Sequence, residues 1–306
     1  MADGGEIYFC IDGGGTKSRA RVSDTDGATL AEALGGPCNP ATNLGVAVAS
    51  IVALWEQCCA AMGRDAARLD GVVMAIGAAG VYVEAGRRAF LAACPEFARF
   101  CSMSDGYAAL IGAGEGAPCG LLIAGTGVAG HRLYANGFSI QRDAWGWIAG
   151  DRGSGCWIGL RALRHCLATL DGVAPKDGLS EAVMKAIGGV EGFAAGWTRD
   201  LGPDRLGALA PVVFAEADAG DATALRIRDR AVEHLAALAR VVAGPDVAFY
   251  AAGGIVAPLH ALLAKAIGFA VRTPISDAMT GCWLVASGRA PPERALLFGA
   301  NVEGAL

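Results

Sequence analysis

The chain has 306 residues, 54% hydrophobic and 18% charged, with a net charge of −5. That is long enough for two domains with sizeable cores. Scattered Lys and Arg argue against a nucleic-acid surface. No apolar run reaches the ~18 uncharged residues that span a bilayer, and the acidic opening Met1-Ala2-Asp3-Gly4-Gly5-Glu6 lacks the basic start of a signal peptide. The expectation is a cytoplasmic protein with no nucleic-acid or membrane partner. Its ten cysteines, with no Cys-x-x-Cys pair, read as structural thiols of a reducing compartment.

Residues 6–34 read as three strands, the first two joined by a glycine-rich turn and the last two by Thr25-Asp26-Gly27. Helical spacing over 46–62 (Ile51, Leu54, Trp55, Cys58, Met62) predicts a helix. A buried strand follows at 72–76 and ends at Gly77-Ala78-Ala79-Gly80. Then come a helix over 84–94 stopped by Pro95, a strand at 100–103, and a helix to about 114. The order β-β-β-α-β-α-β-α then starts again: strands at 121–124, 131–134 and 138–140 suggest an internal duplication, with Gly114-Glu115-Gly116-Ala117-Pro118 as the boundary. Helices are expected at 153–170, 178–188, 206–219, 222–243, 256–267, 277–287 and 292–302, with a buried strand at 247–250. Strands between helical patterns indicate an α/β protein.

Three glycine turns each follow an apolar run. Such turns let backbone approach a ligand and present N–H groups to anions. Asp12-Gly13-Gly14-Gly15-Thr16-Lys17-Ser18 is not a Walker loop, because Thr16 separates Gly15 from Lys17 and a strand follows. It reads as a β-hairpin whose tip faces phosphates, with Asp12 able to hold Mg²⁺ through water, or as an ordinary glycine hairpin. Gly125-Thr126-Gly127 repeats the arrangement without Lys or Asp. Gly253-Gly254 suits close approach to adenine or ribose, or is a tight strand–helix turn. Asp105, just past a strand, is a helix N-cap or a catalytic base at the strand end where α/β sheets place ligands. Asn39 binds sugar hydroxyls or shapes a turn. The segment from Trp145-Gly146 to Asp151-Arg152-Gly153-Ser154-Gly155 suits a polyol pocket or a helix N-terminus.

Together these pieces resemble the sugar kinase/actin/Hsp70 superfamily. Within it they are most similar to the N-acetylglucosamine kinase and BadF/BadG/BcrA/BcrD ATPase branch. The resemblance implies two RNase H-like (actin-like ATPase) domains with an interdomain cleft, residues 1–115 (rejoined by a helix at 290–306) and 116–289. It implies ATP and Mg²⁺ as cofactors. The phosphates would fall to Gly13, Gly14, Gly15, Thr16, Lys17, Gly125, Thr126 and Gly127, the adenosine to Gly253 and Gly254, and the sugar to Asn39, Gly146 and Asp151. It further implies a homodimer and ATP-dependent phosphorylation of an amino sugar, N-acetylglucosamine or glucosamine, at O6, with Asp105 as general base. Alternatives are an ATPase that activates a partner enzyme, a kinase of another small sugar, and a sugar-sensing protein without turnover. Two residues depart from the pattern: Arg152 stands where Glu is common, which puts the sugar preference in question, and Val128 where Ser is frequent.

Overall fold

The structure, a computed structural model, describes residues 5–294 except 80, 82–83, 193–195, 198–200 and 245. Most of the helix expected at 292–302 therefore lies outside the described residues, as do Met1 to Gly4 and Gly80. The chain divides into two compact units: residues 1–119, 131–140 and 274–306, and residues 120–130 and 141–273.

The first unit is built on five strands, β1 (Ile7–Gly13), β2 (Ser18–Ser23), β3 (Thr29–Gly35), β4 (Val72–Ala78) and β5 (Arg99–Met103), in the order β3-β2-β1-β4-β5. β1 and β2, and β2 and β3, pair antiparallel; β1, β4 and β5 run parallel. Every residue of β4 is buried, as a central parallel strand covered on both faces requires. On one face lies helix α1 (Leu44–Met62), whose Ile51, Leu54, Trp55 and Cys58 join Phe9, Ile11, Val22, Met74 and Ile76 in one core. α1 is long and apolar enough to cross a membrane by composition alone, but this stripe is spent on the sheet. α2 (Glu84–Ala93) adds Phe90 to the same core.

The other face carries α3 (Asp105–Gly114) and a helix from near the C-terminus, Ala278–Ala286. They meet backbone to backbone: a Cβ on Gly281 would collide with the Ala108 carbonyl, and one on Gly112 with the Asp277 carbonyl. The Cys282 thiol donates to the Ile11 carbonyl at 3.6 Å, and Arg21 of β2 grips Asp277 at 2.8 Å. Residues 274–289, assigned from sequence to the second domain, thus pack with the first. Periodicity shows that this segment is helical and carries no sign of which sheet it covers.

The second unit contains β6 (Cys119–Ala124), β7 (Val128–Leu133), β8 (Ser139–Asp143) and β9 (Ala248–Ala252), although residues 131–140 group with the first unit. Their order, β8-β7-β6-β9, repeats β3-β2-β1-β4, and a parallel bridge from Tyr250 to Arg272 extends the sheet past β9. The three-stranded start is duplicated, as the sequence suggests. Helices α4 (Gly155–Leu170), α5 (Gly178–Ala186), α6 (Gly189–Gly192), α7 (Pro203–Gly207), α8 (Ala210–Asp218), α9 (Ala222–Val242) and α10 (Val256–Ile267) follow, with the Ala278–Ala286 helix as α11. The expected helix at 206–219 is two helices. Pro211 falls in the first turn of α8, where its missing N–H is tolerated, whereas inside a continuous helix it would break a hydrogen bond. Of the ten cysteines, eight are buried and two half-buried.

Gly281→Ala should cost about 1–3 kcal/mol of stability, the range for forcing extra volume into a packed interior. Urea denaturation would show the midpoint falling with the slope unchanged.

Candidate active site

In the first unit, parallel pairing sets Asp12 opposite Gly77 and Gly77 opposite Met103. The carboxyl end of β1, carrying Asp12, and that of β5, leading to Asp105, are therefore level. Ser104, not Asp105, caps α3: its hydroxyl accepts from the Tyr107 N–H at 3.1 Å. The capping alternative for Asp105 is thereby removed. Asp105 is the first helical residue, open to solvent, with Oδ1 accepting from the Gly106 N–H at 2.9 Å. Its carboxyl is raised above the ordinary range, chiefly by the protein crowding it, with the neighbouring charge of Asp12 adding and the Gly106 N–H opposing.

The first glycine turn is the hairpin tip expected. Gly13 pairs with Ser18, and the Gly14 N–H donates to the Lys17 carbonyl at 3.1 Å. Gly13 is enclosed, since a Cβ there would lie 2.9 Å from the Cys38 carbonyl. Gly15 has nothing within 4 Å of where its Cβ would be, and Gly15, Thr16 and Lys17 are exposed. Asp12 pairs with Arg19 at 2.9 Å. Asn39 belongs to the loop joined to this tip by the Cys38 N–H, which donates to Gly14 at 2.9 Å. Its side-chain oxygen shapes a turn, accepting from the Ala41 N–H at 3.0 Å.

In the second unit the expected residues converge on the end of β6. Gly125 and Thr126 carbonyls accept from the first N–H groups of α4, Gly155 at 2.8 Å and Cys156 at 3.2 Å, while Ser154 caps that helix. Gly253, at φ +104°, presses so closely on Ala124 that no side chain fits, and the Ile255 N–H donates to the Ala124 carbonyl at 3.0 Å. The adenosine-type turn thus adjoins the second phosphate-type turn. Asp151 is only 8% exposed. One oxygen accepts from the Val128 N–H at 3.3 Å, and the other lies 2.9 Å from a Cβ position on Gly127. Among the described residues, this leaves the Thr126 and Gly127 N–H groups and the Thr126 hydroxyl unengaged. Burial raises the Asp151 carboxyl, the Val128 N–H opposes, and Asp143 adds. Gly146 sits at φ +83° with open space beside it, next to Trp145, which is 64% exposed. Asp143, Ala144 and Asp151 all adopt left-handed backbone, a strain that tends to gather at functional loops.

Four residues escape sequence reasoning. Glu293 accepts from the Ser104 N–H at 2.7 Å and from its hydroxyl at 2.6 Å. Burial raises its carboxyl. Arg19 pairs with Asp12, Asp143 accepts from the Asp151 N–H at 3.0 Å, and buried His131 lies against Gly106. Only Arg19 has a sequence signal, as the cross-strand neighbour of Asp12 in a hairpin.

A family model described as the BadF/BadG/BcrA/BcrD ATPase family matches residues 10–272. The chain belongs to that family, whose fold is that of the actin-like ATPases and sugar kinases. It is 29% identical over 220 residues to a glucosamine kinase of Vibrio cholerae, spanning 72% of this chain and 74% of the relative. It is 27% identical over 233 residues to an N-acetyl-D-glucosamine kinase of Dictyostelium discoideum, spanning 71% and 72%. A crystal structure from Chromobacterium violaceum, provisionally assigned as an N-acetylglucosamine kinase, superposes with a TM-score of 0.84 at 28% identity, covering 92% of this chain and 99% of the other.

Two outcomes follow. A carboxyl raised on folding makes its ionised form costlier in the folded than in the unfolded chain. Asp105→Asn should therefore raise the melting temperature at neutral pH. The gain should fade as pH drops below the ordinary carboxylate range, where both states are protonated. Gly15→Ala meets no steric obstacle, so its melting temperature should match the wild type, while nucleotide affinity measured by calorimetry falls if the tip contacts phosphate.

Proposed function

We propose that the chain is an ATP-dependent kinase that phosphorylates N-acetylglucosamine or glucosamine at O6, with Asp105 as general base. The observation that carries this reading is Asp105 itself, a carboxylate at the carboxyl end of a parallel strand, relieved of capping by Ser104 and raised in pKa. A structural N-cap would show the opposite on each count. The relatives named as glucosamine and N-acetylglucosamine kinases support the substrate class. The buried cysteines, with Cys38 and Cys119 pushed up to about 12 by burial, are protonated and poor metal ligands as they stand.

In the proposed reaction the sugar O6–H passes its proton to the Asp105 carboxylate. O6 then bonds to the γ-phosphorus in line as the bond to the β–γ bridging oxygen breaks, leaving ADP. Such a transition state is loose, with charge spread over three oxygens, so catalysis rests on positioning and electrostatics. Lys17 and the N–H groups of the hairpin tip, with Thr126 and Gly127, receive the phosphates. Gly253 and Gly254 allow the adenosine to approach. Asn39 and the backbone at Gly146 contact the sugar, and Asp151 does so through the oxygen not bonded to Val128. Asp12 fits Mg²⁺ held through water: Arg19 takes one of its oxygens and leaves the other. The ion would neutralise phosphate charge.

The test is ADP release from ATP and Mg²⁺ in the presence of N-acetylglucosamine, glucosamine, N-acetylmannosamine, glucose or no sugar. Stimulation by one amino sugar is expected. Sugar-independent hydrolysis would transfer the assignment to an activating ATPase. Asp105→Asn should keep sugar binding and lose about 10²–10⁴ in kcat, the usual share of a general base. Wild-type kcat/KM should fall on the acid side at a pH above the ordinary carboxylate range.

A further inference from the structure

His131 is a buried titratable group that the proposed reaction does not use. It lies on β7, is 3% exposed, and burial pushes its imidazole down to about 4. Its ring occupies the space beside Gly106 where any other residue would carry a Cβ; a Cβ there would collide with Cε1 and Nε2 of the imidazole. The Gly106 N–H is the group that holds Oδ1 of Asp105. One ring therefore sets the position of the peptide that anchors the proposed base. The titratable groups around that carboxylate are Asp12 at the end of β1 and Glu293 on the segment after α11, both acidic. His131 supplies no compensating positive charge, because at neutral pH it is uncharged.

We propose that His131 is a positioning residue for Asp105: its neutral imidazole wedges against Gly106 and fixes the first turn of α3, so that the Gly106 N–H is held against Oδ1 of Asp105. The catalytic part of this inference rests on Asp105 being the base of the proposed kinase; the structural part does not. A histidine suits the position because its ring is flat enough to lie against a glycine and loses its charge when buried. A permanently charged side chain of similar length would pair with Asp105 and lower its pKa.

The first measurement needs no turnover. The melting temperatures of wild type, Asp105→Asn, His131→Ala and the double variant form a cycle at neutral pH. If His131 holds the Gly106 N–H against the Asp105 carboxylate, the gain from Asp105→Asn grows when His131 is Ala, because the carboxylate then loses its donor. An unchanged gain overturns the proposal even if the protein proves to have no kinase activity. Should His131→Ala fail to fold, His131→Asn, which trims the ring without emptying the site, takes its place in the cycle.

The second measurement uses kinetics. Gly106→Ala should lower kcat by about tenfold or more with little change in sugar KM, as a small misplacement of a catalytic group does. Adding His131→Ala makes room for the new methyl and should recover several-fold of that loss, while the acid limb of kcat/KM moves to higher pH as the Gly106 donor loosens. Losses that simply multiply, with an unmoved acid limb, would reduce His131 to ordinary packing. Absence of turnover in the wild type, with the thermal cycle still coupled, would count against the kinase reading and not against the placement of His131.

Discussion

The structure depends on how closely α3 lies on the first sheet. Gly77 in the middle of β4 has no side chain, and a Cβ there would come within 2.6 Å of the Ala108 methyl. With that space empty, α3 settles over the carboxyl ends of β1, β4 and β5, and its first residue, Asp105, comes level with Asp12. On its far side α3 is locked by α11, where Gly112 and Gly281 bring two helix backbones together without intervening side chains. Any widening of these contacts would lift Asp105 off the strand ends, so Asp105 is located by missing side chains more than by attractive ones.

That placement gathers negative charge. Asp105 and Glu293 both have raised carboxyls, and each adds to the charge around α3's first turn. The helix N-terminus offsets part of this, since its free N–H groups favour anions. The Ser104 N–H and hydroxyl donate to both oxygens of Glu293 and so stabilise that carboxylate's own charge. The remaining imbalance costs stability and leaves the Asp105 carboxyl raised, and carboxyls perturbed in this way gather at functional sites.

Local signals in the sequence are enough to locate the strands, most helices and all three glycine turns, because period-2 and period-3.6 patterns and Gly, Pro and Asn turns are local physics. Asp105 as a candidate needs only the strand that precedes it. Whether it caps its helix is a contest between adjacent residues, Ser104 and Asp105, that composition alone leaves open. Ser104 takes the cap because its short hydroxyl reaches the Tyr107 N–H from extended backbone, φ −66° and ψ 150°. Partners set by tertiary packing have no local signature: Glu293 lies 189 positions from Ser104, and α11 begins at Ala278, far along the chain from the sheet it packs on, whose last strand ends at Met103. Asp151 is the mixed case. Its glycine-rich motif is visible in the sequence, but its burial against Gly127 follows from a left-handed turn, a conformation aspartate tolerates better than most side chains and one no local pattern requires here.

The two phosphate-type turns are duplicates in topology and opposites in their internal bonding. In the second, Gly125 and Thr126 carbonyls hold the start of α4, Asp151 holds Val128, and Gly253 leaves no room beside Ala124. Of those glycines, Gly253 is explained by what the folded chain itself requires, and Gly125 is not. In the first turn Gly13 is explained by the Cys38 carbonyl, but Gly15, like Gly125 and Gly254, is not: no atom crowds any of the three, and none is in the left-handed region. A residue without a side chain at an exposed tip, where the fold imposes no such need, loses conformational entropy for no internal return. Bare backbone is left uncrowded in both turns: at Gly15 on the exposed hairpin tip of the first, and at Gly125 and Gly254 beside the end of β6 in the second.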